Sequence, residues 1–185
     1  KSKVKSQKFE ILDIGTGTGC IPISLKANLP HVNVSAIDVS EKALEVARRN
    51  AVSNKVEINF IQTNILEVED LSQLQTSNFQ LPTSFDIIVS NPPYVRNLEK
   101  QEIKKNVLDY EPHLALFVED TDALLFYRKI AQLALKNLAP NGLLFFEINQ
   151  YLGKETVELL KNLGLKNIEL KKDIYGNDRM IRCEK

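Results

Sequence analysis

The sequence predicts an α/β fold built on a mostly parallel sheet with helices on both faces. Two observations carry that expectation. Strand-like and helix-like segments alternate strand, helix, strand, helix, strand over about fifty residues, the signature of crossover connections between parallel strands. Three of only seven glycines, Gly15, Gly17 and Gly19, fall together between the first strand and the first helix. In doubly wound sheets the ligand crevice opens at such a turn. No repeat, low-complexity tract or linker interrupts the 185 residues, so residues 1–185 are expected to form one domain.

Each element has its own signal. Phe9 to Ile14 is a β-rich apolar run stopping at the glycines, a buried strand. Cys20 to Asn28 follows as a helix, stopped near Pro30, and Val32 to Asp38 is the second strand. Ser40 reads as an N-cap for a helix over Glu41 to Val52, with Ala43, Leu44, Ala47 and Ala51 at helical spacing. Val56 to Gln62 alternates as a third strand, and Phe85 to Ser90 is an apolar fourth. Between them, Thr63 to Ser84 is irregular, with at most a short helix near Leu71 to Gln75. Residues 95–119 read as a loop region with a candidate helix at 99–108. Asp120 to Leu138 is a long amphipathic helix closed by Pro140-Asn141-Gly142, followed by a strand at Leu143 to Ile148 and a helix at Lys154 to Leu163. Asn167 to Lys172 and Arg179 to Glu184 form a final hairpin across Tyr175-Gly176-Asn177-Asp178.

Composition narrows the function classes. With 43% hydrophobic and 26% charged residues the chain is an ordinary globular one, which excludes disorder. Lys+Arg and Asp+Glu are 24 each, for zero formal charge, so a dedicated nucleic-acid binder is disfavoured. Cys20 and Cys183 are too far apart in sequence to suggest a disulfide framework or metal site. No apolar run reaches the roughly 18 residues of a membrane helix, and the basic, polar start is unlike a signal peptide. A cytoplasmic protein is expected. The chain starts at Lys1 and its only methionine is Met180, so the natural chain is expected to begin upstream.

The glycine loop suggests the ligand. Between strand and helix it lets the backbone approach a ligand closely and aims helix N–H groups at it, although a tight packing turn has the same signature. Gly15-Thr16-Gly17-Thr18-Gly19 is G-x-G-x-G, and the third position of the dinucleotide fingerprint G-x-G-x-x-G is Cys20. No P-loop is present. Asp13, just before the loop, would repel a pyrophosphate and suit a cationic amino group. An acid beside a glycine loop fits a ligand carrying an amine and a sulfonium, which points to S-adenosyl-L-methionine. Asp38 lies about 20 residues past the loop, where an acid accepts hydrogen bonds from ribose hydroxyls; capping the helix after Ser40 is the other role open to it. Asn64, after strand three, is placed either to meet an adenine edge or to sit in a solvated turn.

Asn91-Pro92-Pro93-Tyr94, ending strand four, suggests the chemistry. Two prolines remove two N–H donors and stiffen the path, fixing the direction of the Asn91 side chain and the nearby carbonyls. Such acceptors match the two hydrogens of a planar –NH₂ group, and Tyr94 supplies a ring on which a planar amide or base can stack. An amide nitrogen is a poor nucleophile because its lone pair is delocalised; accepting its N–H hydrogens favours a pyramidal nitrogen. A rigid turn is the alternative reading, since Asn-Pro commonly opens turns.

Asp13-Ile14-Gly15-Thr16-Gly17-Thr18-Gly19 with Ser90-Asn91-Pro92-Pro93-Tyr94-Val95 resembles the HemK/PrmC group of amino-methyltransferases. The resemblance includes Tyr110-Glu111-Pro112-His113-Leu114-Ala115-Leu116, Tyr127-Arg128-Lys129-Ile130 and Asp173-Ile174-Tyr175-Gly176-Asn177-Asp178-Arg179. It implies a Rossmann-like class I methyltransferase fold, seven strands with the last antiparallel. It also implies methylation of the glutamine amide in the Gly-Gly-Gln motif of peptide-chain release factors. By that resemblance Gly15, Thr16, Gly17, Thr18 and Gly19 cradle the methionine end of the cofactor and Asp38 holds the ribose. Asn91 and the Pro92 carbonyl grip the substrate amide. The family's Asp-aromatic pair after strand three is Asn64-Ile65 here, and its helical N-terminal domain has no counterpart in this chain. Asn-Pro-Pro-Tyr also occurs in adenine-N6 and guanine-N2 methyltransferases, so a nucleic-acid amino-methyltransferase is the main alternative. A non-catalytic cofactor-binding module and an NAD-dehydrogenase are weaker ones. Among the remaining residues, Cys20 and Phe145-Phe146 are expected in the core and His31 on the surface. His113 is read as structural before any role as a base, and Glu111 either meets the substrate or satisfies backbone N–H groups of the loop after Tyr94.

Overall fold

The computed structural model describes residues 9–76, 79–96, 98–99, 117–118 and 120–185. From β1 (Glu10–Ile14) the chain runs through α1 (Cys20–Asn28), β2 (Asn33–Asp38), α2 (Glu41–Ser53), β3 (Asn59–Gln62) and β4 (Phe85–Ser90). A short pair, β5 (Val95–Arg96) and β6 (Phe117–Val118), precedes α3 (Leu125–Asn137), β7 (Leu138–Glu147), α4 (Gly153–Leu163), β8 (Lys166–Lys172) and β9 (Asp178–Glu184). Single 3₁₀ turns lie at Ile65–Glu67, Leu71–Gln73 and Asp120–Asp122.

Seven strands form one sheet in the order β3-β2-β1-β4-β7-β9-β8, and β5 pairs with β6 apart from it. β3, β2, β1, β4 and β7 are mutually parallel, while β9 runs antiparallel to both β7 and β8. The seven-stranded, mostly parallel sheet with a reversed last strand is therefore as expected. The reversal follows from the tight turn over residues 173–177, which sends β9 back between β7 and β8. Because the five parallel strands share one direction, their carboxyl ends form a single edge.

Side chains alternate across the sheet as the pleat requires. Leu12, Ile14, Ile37, Ile88, Leu144 and Phe146 join Tyr127, Ile130 and Ala134 of α3 in the main core. Tyr127 meets Phe146 edge-to-face at 5.3 Å and 78°. Residues of the opposite parity, Ile11, Val34 and Ala36, are buried on the face of α1 and α2 with Ile23, Leu44 and Ala47. Ser40 caps α2 as expected, accepting from the Ala43 N–H.

Three boundaries differ from the sequence expectation by more than one residue, each for a local reason. β3 starts at Asn59 because the Lys55 and Val56 N–H groups close the end of α2, donating to Val52 and Ala51 carbonyls. The long helix starts at Leu125, after a 3₁₀ turn whose Asp122 takes a two-pronged contact from Arg128 at 2.9 Å. Pro140-Asn141-Gly142 does not separate helix from strand. Leu138 already pairs with Phe85, the chain bulges out with Asn141 at φ 63°, and pairing resumes at Ile87–Leu143. Cys20 is exposed rather than core, at the head of α1. His31 is exposed and Phe146 buried, as expected, whereas Phe145 is only partly buried. The candidate helix at 99–108 lies almost entirely outside the described residues, as do Glu111 and His113. No helix among the described residues is long and apolar enough to cross a membrane.

One glycine is expected to be intolerant for packing reasons alone. A Cβ on Gly153, at the start of α4, would meet Asp178 Oδ2 at 2.5 Å and Asp178 Cβ at 3.0 Å. Gly153→Ala should therefore destabilise the fold by about 1–3 kcal/mol despite the better helix propensity of alanine. A lowered thermal midpoint checks this; an unchanged or raised one would mean that Asp178 moves aside freely.

Candidate active site

The carboxyl ends of β1, β2 and β4 bring the two motifs of the sequence together. Gly15, Gly17 and Gly19 have φ of 74°, 56° and 84°, left-handed values that a side chain rarely tolerates. The Ile37 carbonyl, at the end of β2, accepts from both Gly15 N–H (2.9 Å) and Thr16 N–H (3.0 Å). Asn50 of α2 donates to the Thr18 carbonyl at 2.9 Å, holding the loop from its other side. Gly19 is the residue before α1, and a Cβ there would press on Ala47 and Ile23 at 3.1 Å. A Cβ on Gly17 would meet nothing within 4 Å, so this glycine faces open space.

Asp38 braces the same loop. Its Oδ2 accepts from Gly17 N–H at 2.7 Å and its Oδ1 from Ser40 N–H at 2.8 Å. Capping and ligand contact are compatible, because each carboxylate oxygen keeps a second lone pair. Asp13 is fully buried at the end of β1, and among the described residues neither of its oxygens has a hydrogen-bond partner. The buried Thr16 hydroxyl is equally unpartnered. Burial pushes the Asp13 carboxyl up to about 7; the nearby Thr16 hydroxyl, short of hydrogen-bond geometry, pulls it back, and Asp38 adds a little in the upward direction. Two unsatisfied acceptors and a hydroxyl next to an open glycine loop are an unmet demand for a polar, preferably cationic, group.

The residues after β3 are placed differently. Asn64 caps the Ile65–Glu67 turn, accepting from Leu66 N–H at 3.1 Å and donating to Glu67 Oε1 at 2.8 Å. One N–H and one lone pair of its amide remain. Ile65 is buried in the main core.

Asn91 stands at the carboxyl end of β4. It is exposed, and its amide makes no hydrogen bond to any described residue. A Cβ on Gly15 would come within 3.9 Å of the Asn91 carbonyl, so the glycine loop and the Asn-Pro-Pro-Tyr segment abut. Ser90 ties β4 to β1 by donating from Oγ to the Ile14 carbonyl at 2.6 Å. Pro92 is buried and Pro93 partly so, and Tyr94 packs on the core.

Behind this segment lies a polar network that the sequence reading did not single out. The Tyr94 hydroxyl donates to Glu147 Oε1 at 2.9 Å and accepts from Arg179 at 3.4 Å. Burial, reinforced by the Glu147 charge, pushes its pKa up to about 12, so the phenol remains a donor and is no base. Buried Asn149 donates to the Tyr94 carbonyl at 2.9 Å and to Glu99 Oε2 at 2.8 Å, while Glu99 holds Arg96. Asn149 N–H in turn donates to the Tyr127 hydroxyl at 3.2 Å. Glu147 and Asn149 sit at or just past the carboxyl end of β7, the edge at which ligands bind in open α/β sheets, and that placement is the signal that could have found them. A cleft of about 180 Å³ opens beside them, lined in part by Tyr94, Glu99, Tyr151 and Arg179.

Comparison with known proteins bears on this geometry. Residues 2–113 match the family described as the methyltransferase small domain. A release factor glutamine methyltransferase of Flavobacterium psychrophilum is 67% identical over 97% of this chain and 60% of its own length. One from Bacteroides thetaiotaomicron is 44% identical over 95% of this chain and 60% of its own. The chain thus spans about 60% of the length of these curated relatives. Among solved structures, TrmN from Thermus thermophilus superimposes with a TM-score of 0.61 at 21% identity, over 96% of this chain and 44% of that one; this likeness concerns the fold. With more than half of its length matched, and with the matched part carrying both motifs at one sheet edge, the chain belongs to the methyltransferase small domain family.

Proposed function

We propose that this chain is the catalytic domain of an S-adenosyl-L-methionine-dependent N-methyltransferase. Its substrate is the side-chain amide of the glutamine in the Gly-Gly-Gln motif of peptide-chain release factors. The observation that carries the reading is the exposed Asn91, whose side-chain amide has no hydrogen-bond partner among the described residues and whose backbone carbonyl abuts the glycine loop. The names of the curated relatives support the choice of substrate.

The residues fit the cofactor. Asp13 and Thr16 offer unpartnered oxygens that suit an amino group, and Gly17 leaves room for close approach. Gly15, Thr16, Gly17, Thr18 and Gly19 would hold the methionine end, Asp38 the ribose hydroxyls through its remaining lone pairs, and Asn64 with Ile65 the adenine. When bound, S-adenosyl-L-methionine supplies an electrophilic methyl group on a sulfonium.

The chain's own residues make the amide a nucleophile. Asn91 Oδ1 and the Pro92 carbonyl accept the two N–H hydrogens of the substrate amide, which localises the nitrogen lone pair and aims it at the methyl group. Pro92 and Pro93 fix those acceptors before substrate arrives, so no reorganisation accompanies the reaction. Tyr94, anchored by Glu147, Arg179 and Asn149, carries the segment on a rigid base and presents its ring to the planar amide. The alkylated nitrogen loses its proton to water, so the site needs no general base. A cytoplasmic location follows from a substrate of the translation machinery.

The direct test offers the full-length protein unmethylated release factor, methyl-labelled cofactor and, separately, RNA and DNA. Label should enter the release factor and disappear when the Gly-Gly-Gln glutamine is replaced by alanine. Nuclease-released label would move the assignment to nucleic acid. Absence of any label while cofactor binds would overturn the catalytic reading.

A further inference from the structure

The turn joining β8 to β9 places two large apolar side chains in water. Ile174 is 92% exposed and Tyr175 83%. Exposed tips are ordinarily polar, and this one is held rigid. The Asp173 carboxylate accepts from Tyr175 N–H (2.9 Å) and Asn177 N–H (3.0 Å). Asp173 N–H and Gly176 N–H close the turn on the Asn177 and Asp173 carbonyls. Gly176, at φ 85°, takes the one conformation there that a side chain resists, and Lys172 grips the Gly176 carbonyl at 2.9 Å.

Its position connects it to the site. β9 runs antiparallel to β7, so its first residues lie beside the carboxyl end of β7: Met180 pairs with Glu147, and Ile148 N–H donates to the Arg179 carbonyl at 2.9 Å. The turn therefore projects from the same sheet edge as Asn91. Arg179 joins the two directly, reaching Asp173 at 3.5 Å and the Tyr94 hydroxyl at 3.4 Å. The cleft of about 180 Å³ beside Tyr94 is lined by that same Arg179, so Arg179 stands between the cleft and the base of the turn.

We infer that Ile174 and Tyr175 form a docking surface for the polypeptide flanking the target amide, an extension that rests on the reading proposed above. The occupant is a loop of the protein substrate with apolar side chains of its own. A pre-ordered apolar tip loses little entropy on binding, and an exposed Tyr is a residue type that anchors protein interfaces. A contact well removed from the reacting atoms raises affinity for substrate and transition state alike, so it acts on KM rather than kcat.

The test compares the unmodified protein with Ile174→Ser/Tyr175→Ser, using intact release factor as substrate. The double variant should raise KM about tenfold or more with kcat, cofactor Kd and thermal midpoint within about twofold or a degree of native. Tyr175→Phe, which keeps the ring, should retain the native KM. An unchanged KM in the double variant overturns the surface, as does a fall in kcat alone. Weakened RNA binding with native release-factor kinetics overturns it in favour of base stacking by Tyr175. If the unmodified protein transfers no methyl to release factor, the function proposed above fails first and this surface with it.

Discussion

Asn91→Ala is expected to lower methyl transfer by about 10²–10³-fold while leaving cofactor affinity within a few-fold of native. The asymmetry follows from where the residue sits. The proposed cofactor side of the site is built by β1, the glycine loop and Asp38, all braced by contacts that do not involve the Asn91 side chain. That side chain is exposed and unbonded among the described residues, so truncating it leaves no buried orphan and should not disturb folding. What is lost is an acceptor for an N–H that becomes more acidic as the nitrogen turns pyramidal, an interaction stronger in the transition state than in the ground state. The loss should thus appear in kcat more than in KM. Asn91→Asp keeps an acceptor oxygen and should fall between native and alanine. Label transfer gives kcat, and calorimetric titration of the cofactor gives Kd. A loss of cofactor binding as large as the loss of turnover would show that Asn91 holds the cofactor and not the amide.

The features legible in the sequence are those written in contiguous residues. The Gly15–Gly19 loop, Asp38 two elements later and Asn91–Tyr94 each announce themselves by local composition, and the alternation of elements places all three at one sheet edge. The polar network behind Tyr94 is of another kind. Asn149 meets the Tyr94 carbonyl 55 residues away in sequence and Glu99 50 residues away, and Arg179 meets the Tyr94 hydroxyl across 85. Those contacts exist only because β7 lies next to β4 and β9 next to β7, and single residues between apolar runs carry no mark of that. Asn64 is ambiguous in sequence for a physical reason: an Asn that caps a turn and one that meets a ligand look alike until the N–H it accepts is located. The start of β3 is hidden in the sequence because Val56 is apolar and β-branched, yet its N–H is needed to end α2.

Replacing Asp13 should separate stability from cofactor binding with opposite signs. In the unfolded chain the carboxyl titrates near 3.8; in the fold, burial pushes it up to about 7. Below about pH 4 both states hold the proton and Asp13 contributes no pH dependence. Between about pH 4 and 7 the unfolded state gives up its proton first, so stability falls as pH rises through that window and stays low above it. The difference corresponds to roughly 4 kcal/mol at pH 8. Asp13→Asn removes the ionisation while keeping the shape. The variant should therefore melt well above the native protein at pH 8, and the gap should close towards pH 4. Cofactor affinity should move the other way. A cationic amino group at the two unpartnered oxygens favours the carboxylate, so native affinity should rise with pH up to about 7, with proton uptake by buffer on binding, and the asparagine variant should bind weakly with no such dependence. Thermal melts across pH and titrations in buffers of different ionisation enthalpy read the two effects independently. A native protein whose stability is level from pH 4 to 8 relative to Asp13→Asn would show that the buried carboxyl finds a partner in solution. Equal cofactor affinity in the two proteins would remove Asp13 from the binding site.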